Sequence, residues 1–354
     1  MATLPLYRSH DQAYCTQFAN VEQTAASQDQ VLVGAPGSVI EHRRGEHVYY
    51  ARQYMDPEGR KREQSLGGPQ GDEKVDEHVL EMRQRIELSK GLIERIRELA
   101  KLGFQVADNK AAATVAVLYN HGIFQAGAVL IGSHAFAVLL NGLGVRAVGY
   151  MTEDVDIARE HQLALHEVPP GGVLDILRET GISFVEVPAL ERGAPSTSFK
   201  QAGTARLHVD LLVPSSGATY PVIAVPELKA HATGLPFLAY LLRKTHMSTL
   251  LSRHGAIPVR VPDPARFAVH KLLVAKLRMT HLGKAGKDLQ QACTLLAMLG
   301  EHRSGDIEAA CAELPKSADV HLRKVLPDAE RVLAAVHEGS WLELRDSLRT
   351  HTAW

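Results

Sequence analysis

The sequence predicts an α+β protein, a mixed sheet flanked by helices, with an N-terminal β-hairpin and helix region before it and a helical C-terminal domain after it. Three observations carry that expectation. Strand-like runs flank a Pro-Gly turn between His47 and Leu66, a long amphipathic stripe follows from Val75 to Ala100, and short apolar strands give way to helical periodicity beyond Pro264. With 354 residues, 45% of them apolar and 22% charged, the chain is long enough for two or three domains. The expected divisions are an arm and hairpin at 1–72, a linking helix at 73–108, a core at 109–226 and a mainly helical domain at 227–354.

The first thirty residues are polar and rich in Gln, Ala and Ser, and fit either a loose arm or a short helix. His47 to Met55 then reads as a strand, Asp56-Pro57-Glu58-Gly59 as a turn with Pro pre-set at its second position, and Arg60 to Leu66 as the returning strand. Tyr49, Tyr50 and Tyr54 stand there among Arg43, Arg44, Arg52, Arg60, Lys61 and Arg62, a combination able to stack on and hold a single-stranded nucleic acid. Glu41, Glu46, Asp56, Glu58 and Glu63 in the same span make an ordinary solvated face the alternative. After Gly67-Gly68-Pro69, apolar residues Val75, Val79, Met82, Ile86, Ile93, Ile96 and Ala100 form the stripe of a helix that stops near Gly103 and links two modules. A second helix, from about Asn109 to His121, ends at Gly122, and Gly127 to Ile131 reads as a buried strand. Strands at Ser183 to Val187 and Leu207 to Val213, with a helix near Gly172 to Thr180, complete the core. Beyond Pro262-Asp263-Pro264 the pattern is helical: Phe267, Leu272, Val274, Ala275 and Leu277 mark one helix, and Leu289, Ala292, Leu295, Leu296 and Leu299 the next. Pro315 and Pro327 punctuate the later helices.

Composition removes several functional classes. Lys plus Arg total 39 against 40 for Asp plus Glu, a net charge of -1, so any polyanion site must be a local patch. Cys15, Cys293 and Cys311 are few, odd in number and far apart, which argues against a disulfide framework and fits a reducing compartment. A cytoplasmic, soluble protein is expected, because no basic leader and no long apolar run is present. The 18 histidines lack zinc-ligand spacing, and no nucleophile elbow or Walker loop occurs.

Three segments carry chemistry. In Ala128-Val129-Leu130-Ile131-Gly132-Ser133-His134-Ala135-Phe136 an apolar strand runs into a Gly-Ser turn at the start of a helix, where backbone N–H groups and a hydroxyl can hold a phosphate. In Thr152-Glu153-Asp154-Val155-Asp156-Ile157 two acids separated by one residue point to the same side of a strand. A magnesium ion relieves their repulsion, taking one or two protein carboxylates together with water and substrate phosphates. Asp210 lies in the apolar strand His208-Val209-Asp210-Leu211-Leu212-Val213, where an unpartnered charge would cost several kcal/mol. Three acids on neighbouring strands can hold two metal ions about 3.5–4 Å apart for an in-line displacement at phosphorus.

Gly132-Ser133, Asp154-Val155-Asp156 and Asp210 together resemble the nucleotidyltransferase superfamily that includes DNA polymerase β, nearest to bacterial proteins related to the abortive-infection and toxin nucleotidyltransferases. The Thr152 to Asp156 strand, the His270-Lys271-Leu272 helix and the Tyr-rich hairpin ending in Ser65-Leu66-Gly67 extend the likeness over most of the chain after residue 40. One departure is the interval of twenty residues between Ser133 and Asp154, longer than is usual, with the Gly142 to Tyr150 stretch read as a loop or an added strand. The resemblance implies a metal-dependent transfer of a nucleoside monophosphate from an NTP, with Mg2+ or Mn2+ as cofactor. Asp154, Asp156 and Asp210 would be catalytic and metal-binding, and Gly132, Ser133 and Lys271 would hold the nucleotide. Lys271 has the alternative of snorkelling from a packed helix, and Lys287-Asp288, a pair seen in related toxins, that of an ordinary helix start. His134 reads as a structural histidine or one facing the nucleotide. Expected partners are an NTP and a hydroxyl acceptor, either RNA such as a tRNA 3′ end or a protein side chain, in a toxin or phage-defence setting with an antitoxin or regulatory partner. A nucleotide- or RNA-binding module with a degenerate transferase core is the non-enzymatic alternative.

Overall fold

A computed structural model describes residues 4–148, 152–165, 167–189, 193–216, 220–277 and 282–351. The N-terminal part comprises β1 (Tyr7–Ser9), α1 (Gln12–Ala26), β2 (Ser38–Arg44), β3 (His47–Met55), β4 (Lys61–Gly67) and α2 (Glu73–Lys101). The polar leader is thus ordered from its first strand: Asp11 caps α1 by accepting from the Ala13 amide. Tyr7 donates to Glu301 and the Leu6 amide donates to His337 Nε2, which ties the chain start to the C-terminal helices. Where the sequence suggests two strands there are three. β2 pairs antiparallel with β3 from Ser38↔Gln53 to Arg44↔His47, turning through Gly45 at φ 65, a left-handed conformation that favours glycine.

Helix α2 starts at a capping Asp72, carries Glu73 and Asp76 in its first turn and Lys101 in its last, and so is favoured at both ends. Its stripe meets two separate clusters. Val79, Met82 and Ile86 pack on Tyr50 and Leu66 of the N-terminal sheet, whereas Leu92, Ile96 and Leu99 pack with Phe18, Val21, Phe104 and Leu251.

The remaining elements are α3 (Asn109–Asn120), β5 (Val129–Ile131), α4 (Gly132–Gly142), β6 (Val145–Ala147), β7 (Asp154–Ala158), α5 (Val173–Arg178), β8 (Phe184–Glu186), β9 (Ser198–Gln201), β10 (His208–Pro214), β11 (Val222–Val225), β12 (Ala230–Leu235), α6 (Leu238–Leu242), β13 (Thr245–Ser252), β14 (Gly255–Pro262), α7 (Pro264–Leu277), α8 (Leu282–His302), α9 (Asp306–Ala312), α10 (Asp319–Leu333) and α11 (Glu338–His351). The central sheet runs β11-β12-β10-β7-β5, with β9 and β8 continuing from the first half of β10. β7 and β10 are parallel, and β5 is antiparallel to β7, so the sheet is mixed as the sequence suggests. Along β10, Val209, Leu211 and Val213 are buried, while His208, Asp210 and Leu212 alternate with them on the other, partly open face.

The long interval between Ser133 and Asp154 contains an added strand, β6, which pairs antiparallel with β1. Residues 149–151 of that stretch lie outside the described residues. Among the described residues from Pro264 to His351 the regular structure is helical, but the stretch from Ala230 to Pro262 adds β12 to the central sheet and closes β13 and β14 into a hairpin. Asp263 then caps α7 by accepting from the amides of Ala265 and Arg266. Cys293 and Cys311 are buried free thiols that burial pushes up to about 12, so they act as apolar packing. Among the described residues, no helix is long and apolar enough to cross a membrane.

Candidate active site

The parallel register of β7 and β10 decides which acids meet. Asp156 pairs with Asp210, and Asp154 with His208. Paired residues of neighbouring strands point to the same face about 4.8 Å apart, so two carboxylates stand side by side on the open face of the sheet. Val155, Ile157, Val209 and Leu211 hold the opposite face in the core.

On the other side of β7, Asp156 pairs with Ile131, the last residue of β5 and the N-cap of α4. Gly132 follows at φ 69, and a Cβ there would lie 1.9 Å from Asp156 Oδ2. Only glycine permits this approach, which sets the start of α4, its positive end, against the Asp156 carboxylate. Ser133, next in the chain, is 6% exposed. His134 is fully buried, and burial, the largest cause, lowers its pKa and keeps it neutral; Asp108 and Asp154 pull the other way, while Lys287 pushes in the same direction as burial.

Asp210 is oriented by Ser198 on β9, whose hydroxyl donates to Asp210 Oδ1. Asp154 is half-exposed, with His208 Nδ1 3.8 Å from its Oδ1. That nitrogen donates to the Arg206 carbonyl at 2.7 Å, so it carries the proton and fixes the ring's tautomer. Ser198 and His208 have no motif of their own. His208 is nevertheless implied once His208-Val209-Asp210 is laid in parallel register against Asp154-Val155-Asp156.

The cations come from the helices beyond the sheet. Lys271 on α7 is buried, with Nζ 2.6 Å from Asp288 Oδ1 and 5.4 Å from the centroid of the Phe267 ring, so its charge is held in an ion pair inside the helical layer. Lys287, half-buried on α8, lies within electrostatic reach of the acids. Burial and then Lys271 push its ammonium below the ordinary lysine value, against the attraction of Asp288, Asp156 and Asp154.

Among the described residues, no group of three or more His, Cys, Asp or Glu side chains forms a ready-made metal cage. The donor set still suits a magnesium ion arriving with a nucleotide, because such an ion asks for one or two carboxylates and takes the rest of its shell from phosphates and water. Asp156 and Asp210 supply two in adjacent register, with Asp154 on the same face.

Part of the Tyr- and Arg-rich hairpin is committed elsewhere. Arg52 is 3% exposed and donates to the carbonyls of Val33, Ala35 and Pro36, while Tyr50 is buried. At the hairpin tip, Arg60 donates to the Gly181 carbonyl at 3.0 Å, and Gln201 Nε2 to Glu58 Oε1 at 2.6 Å, which docks the tip onto the core.

A mixed sheet entered through a strand, a Gly-Ser turn and a helix, with acids on the two parallel strands beside that turn, groups this chain with proteins that move nucleotidyl groups. A family model described as nucleotidyltransferase matches residues 109–315, more than half of the chain, and the chain belongs to that family and is an enzyme of the nucleotidyl-transferring class. The match begins at the first residue of α3 and runs through α7 and α8, so the lysines of those helices fall inside it. No curated protein and no solved structure matches the chain.

Proposed function

We propose that the protein transfers a nucleoside monophosphate from an NTP to a hydroxyl acceptor, using Asp154, Asp156 and Asp210 as its catalytic carboxylates. The observation that carries this is the pairing of Asp156 with Asp210 across parallel strands, with the start of α4 pressed against Asp156. The acceptor oxygen attacks the α-phosphorus, a new phosphorus–oxygen bond forms, and the bond to the bridging oxygen breaks to release pyrophosphate. Asp210, held by Ser198, is positioned to receive the acceptor's proton. Gly132, Ser133 and the N–H groups of the first α4 turn, which carries no side-chain cap, grip the triphosphate at the positive helix end. Lys287 supplies a point charge to the phosphates, while Lys271 acts behind it through Asp288.

Asp154, Asp156 and Asp210 are the residues that would hold Mg2+ or Mn2+, which when bound would neutralise developing charge on the phosphates and lower the pKa of the acceptor hydroxyl. Most of the acceleration comes from positioning and charge neutralisation. The motifs resemble those of the abortive-infection and toxin nucleotidyltransferases, which suits a defence role with a regulatory partner. The test is label transfer: wild type and Asp156→Ala are incubated with each α-labelled NTP, Mg2+ and cellular RNA with lysate protein. Label should appear on an acceptor with wild type and fall on the order of a thousandfold or more in the variant. Equal labelling by Asp156→Ala would refute the assignment.

A further inference from the structure

A cleft of about 1590 Å3 opens between α2, the β13–β14 turn and the starts of β7 and β10, and it reaches Asp154. Small-molecule sites usually enclose about 300–1,000 Å3, so an NTP alone leaves much of this space unfilled. Arg97 and Lys101, one helical turn apart on α2, line it together with Arg206 at the entry to β10 and Arg253 in the β13–β14 turn. All four are exposed, and none makes an ion pair with any described residue. Lys110 also lines the cleft, but its charge is engaged by Glu58 at 3.7 Å. The acids are placed differently. Asp108 is taken up as the N-cap of α3, and Glu153 and Asp154 stand at the β7 end where the proposed chemistry occurs.

Four uncompensated cations along one cleft are notable in a chain whose net charge is -1. We infer that this cleft is the acceptor track, and that the acceptor is a single nucleic-acid strand whose phosphates lie over Arg97, Lys101, Arg253 and Arg206 and whose terminal hydroxyl reaches the Asp154 end. The inference rests on the transferase reading for its direction, but the strand binding it requires is independent of catalysis. Among the described residues, the one Phe, Tyr or Trp side chain lining the cleft, Phe104, is buried, so no exposed ring of that kind offers a stacking platform and the groove reads the backbone with little regard to base identity.

The test measures fluorescence anisotropy of labelled oligouridylate and oligodeoxythymidylate strands without nucleotide or metal, over a salt series. Wild type should bind at least one of the two at low salt, and the pair of arms tells RNA from DNA. Arg97→Glu with Lys101→Glu should weaken binding tenfold or more and flatten the salt dependence by roughly 1.4 in log–log slope, at about 0.7 per lost contact. Arg253→Gln, a milder change in a turn, should shift it in the same direction by about half that slope. The equal charge reversal Arg323→Glu with Lys324→Glu on α10 should leave binding intact. No strand binding by folded wild type, or cleft variants that bind as wild type does, would overturn the inference. Wild type that labels lysate protein but binds neither strand would likewise overturn it while leaving the transferase reading standing. Strand binding lost in the cleft variants, from a wild type that transfers no label, would uphold the groove and refute the transferase reading instead.

Discussion

Asp56 at the tip of the N-terminal sheet and Asp210 in the central sheet are both aspartates in β structure, yet their surroundings differ in kind. Asp56 is 2% exposed and accepts hydrogen bonds from the Glu58 and Arg60 amides and from the Arg60 and Arg62 guanidinium groups. Each of these donors favours its negative charge. Asp210 stands beside Asp156 in register, with Asp154 two residues along the same face, so its carboxylate neighbours repel it, and Ser198 is the donor that orients it. Charges collected with opposite charges and donors stabilise a fold. Charges collected with their own kind are useful only when something positive is to be bound there.

Apart from loss of the carboxylates themselves, the largest effect of perturbing either side is expected at Gly132. Gly132→Ala forces a methyl group into Asp156 and puts a Cβ on a left-handed residue. It should displace the carboxylate by about 1 Å or more and lower transfer by about a hundredfold, with a stability cost of roughly 1–2 kcal/mol. Label transfer and thermal melting, measured together, separate the two contributions.

Asp56→Asn attacks the other side. It should cost about 1.5–3 kcal/mol in denaturant unfolding while leaving transfer per folded molecule unchanged, because Asp56 lies at the docked hairpin tip rather than on the open face. A pH signature goes with it. Burial, the largest influence, would raise the Asp56 pKa, but the hydrogen bonds from Arg60, Arg62 and Glu58 outweigh it, and the pKa sits below its ordinary 3.8. A carboxylate with a depressed folded pKa contributes stability that is fully present above the unfolded value and is lost as pH falls through the folded one. Wild type should therefore lose this contribution only below about pH 4, and Asp56→Asn should show a shallower acid-side decline.

The smallest effect is expected at Lys287. Lys287→Met should raise the KM for NTP about tenfold with little change in melting temperature, as removal of a partly solvated phosphate contact implies. A purely structural Lys287 would instead move the melting temperature and leave KM alone.

Much of this comparison is legible in the sequence, for identifiable reasons. The α2 stripe, the Asp56–Gly59 turn and the strand of β10 follow from local pattern, and the structure realises them within a few residues. Gly132-Ser133 can be read because a strand, a tight turn and a helix succeed one another without interruption. What could not be read depends on register and on distant pairing. β2 escapes notice because its exposed, charged run carries no buried alternation. The hairpin of β13 and β14 is mostly buried on both faces, and β13 mixes Thr, His and Ser with Met and Leu in no two-residue period, so nothing local marks its strands. The Lys271–Asp288 pair and the electrostatic reach of Lys287 to the acids arise from how α7 and α8 pack, which no local pattern encodes. The aromatic and basic hairpin points to a nucleic-acid surface in sequence, but Arg52 spends its donors on three backbone carbonyls. The cations that line the cleft lie instead on α2, before β10 and in the β13–β14 turn, scattered along the chain from Arg97 to Arg253.

The most direct test of the central claim is pyrophosphate release by Asp210→Asn, an isosteric change that keeps the hydrogen-bonding shape beside Ser198 while removing one charge. With Mg2+, NTP and an acceptor-containing extract, wild type should release pyrophosphate, and Asp210→Asn should fold, melt at or above the wild-type temperature, bind NTP and release almost none. Release by Asp210→Asn at the wild-type rate would contradict a catalytic role for the Asp156–Asp210 pair.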